Sequence, residues 1–415
     1  MKKLFLISLI AIIAFSVLGE LTRLPIGPGN GLLPNDILVA TLAAAWLLHK
    51  TLIEHAWPKT ILWAPFLTFS ALALLSLLNG SRELTTQETL SSGLYWIRFV
   101  EYFFLAFIAF DVSKDLKHRT FLINSLIGGA TLLALAGFIQ LKIMPNFGSF
   151  EELGWDPHNG RLLSTWFDPN FVGGLFAFIL CLITGLFLDK KTNTRTKIML
   201  SLCGFILLYA LLLTYSRSAY LTLMGGIGVI GIMRSRQLLI GAFIISVLLI
   251  SVSTRAQERV VNLYYTAQSL IGIGIELPDA TARLRLDSWH SAWTIIQDKP
   301  MLGIGFNTYA YAQNRYGFLD DLKKHSASGS DSTLLTMWAT TGTIGFLAYL
   351  WLLGTMLWTS IKNKRNGLTL GFFAGIIALL IHSIFVNSLL FTPLLIFVYI
   401  TLGLTLTQAK DPRKN

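Results

Sequence analysis

The sequence predicts an all-α polytopic membrane protein of about twelve transmembrane helices, with a small helical outer domain between spans nine and ten. Three observations predict it. Hydrophobic residues fill 53% of the 415 positions while Asp, Glu, Lys and Arg fill only 13%, about half the charge of a soluble domain. The mean hydropathy is +0.62, more apolar surface than a soluble core could hide beneath so few charges. Twelve segments approach the roughly 20 apolar residues that a spanning helix needs.

The spans fall at about 4–18, 32–49, 61–78, 92–110, 121–143, 170–188, 198–215, 219–233, 238–252, 332–358, 368–386 and 391–408. Met1-Lys2-Lys3 before the first resembles a signal peptide, but no small-x-small cleavage site precedes Glu20, so an uncleaved first helix is expected. The short spans 219–233 and 238–252 are expected to extend into their flanks. With the N-terminus inside, the inner segments hold nineteen basic residues, against four (Arg23, Arg82, Arg161 and Arg217) in the short outer loops. Basic residues in short loops mark the cytoplasmic side. Both termini are therefore expected on the cytoplasmic side.

The expected organisation is helices one to nine over 1–252, an outer domain over 253–331, helices ten to twelve over 332–408, and a cytoplasmic tail over 409–415. Most of the net charge of +11 is then topological, and nucleic acid is excluded as a partner because no soluble module carries a basic-aromatic patch. Cys181 and Cys203 fall inside spans, which excludes a disulfide in the outer loop. Cys/His metal spacings are absent, so neither metal nor cofactor is expected.

Two outer segments are too long to be simple connectors. The first runs over 144–169. The second, 253–331, carries two helical patterns: Val260, Val261, Tyr264, Ala267 and Ile271 make one apolar side over 255–271, and Leu286, Trp289, Trp293 and Ile296 a stripe over 281–297. Pro300 and Gly303-Ile304-Gly305 end the second helix. The stretch 317–331 is polar, and Asp331 or Ser332 can cap span ten.

Arg217 lies between two apolar stretches, in a turn too short for a normal loop. Burial there costs up to roughly 2.5–3.5 kcal/mol. It reads either as an interfacial arginine snorkelling to water or as an anion site, since a guanidinium fork suits phosphate; Ser216 and Ser218 flank it as donors. Arg161 opens the run to Asp168-Pro169-Asn170, which reads as helix-start chemistry. It is either a plain loop residue or shares an anion with Arg217. Arg283 and Arg285 begin the second amphipathic helix, Trp289 following Arg285 at i+4; by themselves they read as a solvated face with one aromatic stacking on an arginine stem. His325 reads as a surface histidine or, with an ordinary pKa of about 6.5, as a base for a sugar hydroxyl.

Within the spans, Arg98 and Glu101 at i, i+3 are expected to pair with each other. His382, Asn387 and Lys142 stay ambiguous. Asp320-Asp321 lacks the further ligands a metal would need.

Thr214 to Tyr220, Arg161 to Asn170, and the block from Arg283 to Gly345 together resemble the family of bacterial O-antigen ligases and O-antigen polymerases. The block contains a Pro-x-Leu-Gly-x-Gly turn after a Trp-bearing helix, and a His before a Gly-x-x-Gly span. Likeness extends over about 150–360; the first five spans match only in hydropathy. One departure is Ser326, standing after His325 where the family often has Asn. The resemblance implies glycosyl transfer outside the cytoplasmic membrane, from a polyprenyl-diphosphate-linked glycan to a lipid or glycan acceptor, without a nucleotide sugar or metal. It implies that Arg217 and Arg161 bind the diphosphate, that Arg283, Arg285 and Trp289 face the glycan, and that His325 activates the acceptor hydroxyl. The ligase reading is preferred on size and on the compact outer domain. A polymerase extending a lipid-linked chain is the alternative; a lipid-linked glycan transporter is more distant, since no internal repeat is visible.

Overall fold

The computed structural model describes residues 1–25, 31–153, 155–241, 257, 258, 261, 268, 280–319, 329–362 and 364–408. Thirteen helices of seven residues or more carry this part of the chain. They are α1 (Lys2–Leu18), α2 (Pro34–His49), α3 (Trp63–Gly80), α4 (Thr86–Val112), α5 (Leu116–Ile143), α6 (Pro169–Phe187) and α7 (Thr194–Leu213), then α8 (Arg217–Arg234), α9 (Ala280–Asp298), α10 (Tyr309–Arg315), α11 (Thr333–Ile361), α12 (Gly367–His382) and α13 (Thr392–Gln408). A two-residue antiparallel pair, Leu24–Pro25 with Gly31–Leu32, is the one named sheet among the described residues.

Among the described residues, eight helices are long and apolar enough to cross a membrane: α1 to α7 and α11. Of the twelve expected spans, the eighth forms α8, with arginine at each end. The last two form the shorter apolar helices α12 and α13. Span nine and the helix expected over 255–271 lie largely outside the described residues. The helix expected over 281–297 is α9, but its buried face is Ala292, Ile295 and Ile296, while Trp293 remains 44% exposed.

The bundle is built around α6, which α7, α8 and α12 enclose; α13 lies along α4, and α11 along α3. Lipid tails are as apolar as leucine, so such helices associate through close packing rather than hydrophobic transfer. Gly367, Gly371 and Gly375, four residues apart on α12, supply that packing against α6. A Cβ at Gly371 would stand 2.8 Å from the Cys181 carbonyl oxygen and from the Leu182 Cα.

The chain alternates between two ends. At the upper end α2, α4, α6, α8, α11 and α13 begin; at the lower end α4 ends and α5 and α12 begin. The upper end is tied by backbone: Trp166 Nε1 donates to the Ser16 carbonyl at 2.7 Å, Leu162 N to Leu213 at 2.9 Å, and Thr333 N to Ser383 at 2.9 Å.

α11 breaks at Gly342, whose φ of 65° and ψ of −178° are non-helical. The Pro300–Gly305 turn fills the break. Ile304 N and Gly305 N donate to the carbonyls of Ala339 and Thr340 (3.1 and 3.0 Å), and Thr343 N donates back to Pro300 (2.8 Å). The break frees carbonyls that would be costly inside a membrane, and the turn satisfies them. A Cβ at Gly342 would stand 2.2 Å from the Met301 oxygen, so glycine is needed for both conformation and space.

Candidate functional site

Three helix starts converge at the upper end. Asp168 caps α6, accepting from Asn170 N (2.6 Å) and Phe171 N (3.1 Å), with Pro169 as its first residue. Pro at this position loses no hydrogen bond. Ser216 caps α8, accepting from Ala219 N at 3.4 Å, and Ser332 caps α11. The sequence reading allowed Asp331 or Ser332; the structure selects Ser332, with Asp331 at φ 53°.

Ser216 joins two of these starts. Its hydroxyl donates to Asn170 Oδ1 at 2.7 Å and lies 3.0 Å from the Ser218 hydroxyl. Arg217 is the first residue of α8 and half-buried. The helix dipole makes that end partly positive, so Arg217 adds cationic charge where an anion is already favoured.

Arg161 reaches the same turn. Its Nε donates to the Thr214 carbonyl at 2.8 Å, and Nη1 lies 3.5 Å from His158 Nδ1. The loop beneath is held by Gln140 Oε1, which accepts from Leu163 N (2.9 Å) and Ser164 N (3.2 Å). Phe147, Phe150, Trp155 and Phe167 form a ring cluster in the same segment, with centroid distances of 4.6 to 5.3 Å between neighbours. Arg161 and Arg217, 56 positions apart, are thus brought to one turn.

Arg285 and Trp289 meet Phe385, in the connector between α12 and α13. The Arg285 guanidinium lies 5.8 Å from the ring centroid and the Trp289 ring 6.0 Å away. Arg283 is exposed on α9. His325 lies outside the described residues, as do Asp320 and Asp321.

His382 ends α12 fully buried, its Nδ1 hydrogen-bonded to the Ser388 hydroxyl. It fits only because α6 has Gly174 opposite: a Cβ there would stand 2.8 Å from the imidazole Cε1. Its Nε2 has no hydrogen-bond partner among the described residues.

The expected Arg98–Glu101 pair does not form. Arg98 reaches across to α2, where its Nη2 bonds Asp36 Oδ2 at 2.7 Å, and Tyr102 donates to Asp36 Oδ1 at 2.8 Å. Asp36 also caps α2 through Leu33 N (3.0 Å). A buried carboxylate with three donors is a better partner for a guanidinium than a half-buried one on its own helix. Asp36 carries only a helix-start signal in the sequence, which is why the spacing misleads.

Non-glycine residues with positive φ also concentrate at this end: Ser164, Phe167, Tyr215, Asn307 and Asp331, with His55 the one such residue elsewhere in the described chain. Such strain gathers where a fold holds a functional geometry.

Residues 202–350 match the family model described as O-Antigen ligase. The match covers 149 of the 415 residues. It runs from α7 into α11 and includes Arg217, Arg283, Arg285, Trp289 and His325; Arg161 precedes it. The resemblance read from the sequence is borne out over this stretch. The apolar helices together with this match indicate an integral membrane protein. No curated protein matches it.

The sequence pointed to Arg161, Arg217, Ser216 and Ser218 through their place at helix starts. It gave no signal for His158 beside Arg161, for Phe385 beneath Arg285, or for the burial of Tyr309. Those contacts join segments with no local pattern in common.

Proposed function

We propose that this protein transfers a glycan from a polyprenyl-diphosphate carrier to an acceptor hydroxyl, on the outer side of the bacterial cytoplasmic membrane, as an O-antigen ligase does. The observation that carries the reading is the docking of Arg161 on the Thr214 carbonyl, at the turn where Arg217 opens α8. The upper end faces outward in the orientation that the basic loops require.

In this reading Arg217 and Arg161 bind the diphosphate at the level of the lipid headgroups. As the bond from the anomeric carbon to the phosphate oxygen breaks, its electron pair leaves with the diphosphate, and groups fixed beforehand stabilise that charge. The acceptor oxygen forms the new bond to the anomeric carbon and inverts it. His325 takes the hydroxyl proton. Arg285 and Trp289, gathered on Phe385, face the outward glycan together with Arg283.

The test is transfer of lipid-linked glycan in vesicles containing full-length variants at matched levels. Arg217→Ala and His325→Ala abolish transfer if the roles are right; full activity in either overturns its assignment. Arg217→Lys separates a bidentate phosphate contact, which loses activity, from snorkelling, which does not. Deleting the gene discriminates the polymerase: ligase loss strands long chains on the carrier, whereas polymerase loss leaves single repeat units attached.

A further inference from the structure

A second cleft opens at the upper end, on the side of the α12–α13 connector away from Arg217. It lies between α4, the turn before α10 and the starts of α11 and α13, and is partly open to solvent. Tyr95, Arg98, Tyr102, Phe306, Asn307 and Tyr309 form its aromatic and polar walls. Leu389 and Leu390 close it from the connector. The next residue, Phe391, stacks at 4.1 Å on Phe171, beside Asn170. One short segment thus separates this cleft from the Arg161–Arg217 turn.

The charge in the cleft is already matched. Arg98 is bonded to Asp36 and lies 4.8 Å from the Tyr95 ring centroid. This neutral pair does not call for an anion. Tyr309 calls for something else. It is 1% exposed, and its hydroxyl has no hydrogen-bond partner among the described residues. An unmet buried hydroxyl is costly, and native structures rarely leave one without a reason. Asn307, at φ 59°, is held by a hydrogen bond from Ser92 to its carbonyl at 3.3 Å. Thr336, also in the lining, lies 3.1 Å from Asn387 Oδ1 and accepts from Ser330 N at 3.0 Å. The cleft therefore abuts the segment that follows His325 in sequence.

We propose that this cleft binds an uncharged sugar ring, which lies against the aromatic walls and hydrogen-bonds the Tyr309 hydroxyl. The inference rests on the glycan-transfer reading. An acyl chain would leave Tyr309 unmet, and a phosphate would find Arg98 already neutralised. The sugar can belong to the donor glycan or to the acceptor, so the experiment has an arm for each.

The full chain in lipid nanodiscs is titrated with two probes. One is the neutral oligosaccharide released by mild acid from the cell's polyprenyl-linked glycan; the other is the deacylated oligosaccharide of its acceptor lipid. Binding is read by saturation-transfer NMR. One probe binds, and Tyr309→Phe and Tyr95→Ala each weaken it about tenfold. Tyr209→Phe, on the 52% exposed Tyr209 of α7, leaves it unchanged. The probe that responds identifies the source of the sugar. The proposal is overturned if neither probe binds, if Tyr309→Phe and Tyr95→Ala both bind like wild type, or if inorganic pyrophosphate competes with the sugar in the cleft. Failure of the transfer reading looks different: Arg217→Lys keeps full transfer while Tyr309→Phe still weakens sugar binding.

Discussion

Two groups of cations in the bundle are held in different ways. At the lower end, Lys50 lies between Asp111 (2.7 Å) and Glu54, Lys114 bonds Asp111 at 2.6 Å, and Trp46 Nε1 donates to the same carboxylate at 3.0 Å. Side chains from α2, α4 and the loop after α4 close on one another. At the upper end, Arg161 is fixed by a backbone carbonyl and Arg217 is set at a helix start by a serine cap. Backbone in unusual conformations carries that end, with Tyr215 at φ 48° immediately before the cap. The lower cluster fastens helices together. The arginine turn sets its cations at a helix start, where the proposed function has them bind the diphosphate.

The comparison breaks if the two ends respond alike to substitution. Asp111→Ala should have the largest effect, on stability. It removes one of the two carboxylates that hold Lys50 and leaves the Trp46 indole without its acceptor, and losing one partner of a buried pair costs up to about 3–5 kcal/mol. Thermal unfolding in detergent should show it, while transfer per folded molecule stays near wild type. Arg217→Lys should do the reverse, lowering the transfer rate about 100-fold with little change in unfolding temperature. Equal losses of stability in both would end the distinction.

Gly174→Ala sharpens the boundary between the two kinds of role. Its methyl would press on the His382 imidazole, and overpacking of this kind costs about 1–3 kcal/mol. Unfolding of the variant should fall in that range; an unchanged unfolding temperature would show that His382 moves aside freely. The smallest effect should come from Glu83→Gln, which removes an exposed tie to Lys299 (2.9 Å) worth at most about 1 kcal/mol. The Glu83 carboxylate holds the Lys299 ammonium above the ordinary lysine value. Its contribution is therefore complete below that value and lost only as pH rises through the raised one. Unfolding followed from pH 8 to 11 should show wild type and variant converging at the alkaline end; a difference that grows with pH would contradict the tie.

Much of this was legible in the sequence, because its causes are local. Hydropathy runs locate helices wherever transfer from water decides the matter, and Asp168-Pro169 marks a helix start because a cap bonds backbone within three residues. The place of Arg217 in a short turn between two spans could likewise be read from the hydropathy. The i, i+3 spacing of Arg98 and Glu101 misled because a local rule was applied where burial decides: Asp36, 62 positions away, offered a carboxylate already desolvated and fixed.

The sequence by itself determined that the chain is helical, apolar and sided in its basic residues, and that an arginine flanked by two serines lies between two spans. Only the tertiary structure decided that Arg161 reaches that turn, that Arg285 and Trp289 share Phe385, that the Pro300–Gly305 turn repairs the break at Gly342, and that Tyr309 is buried with its hydroxyl unmet. The reason is range. Helices and caps follow from neighbours a few residues apart, whereas these contacts exist only once close glycine packing has fixed which helices stand beside which.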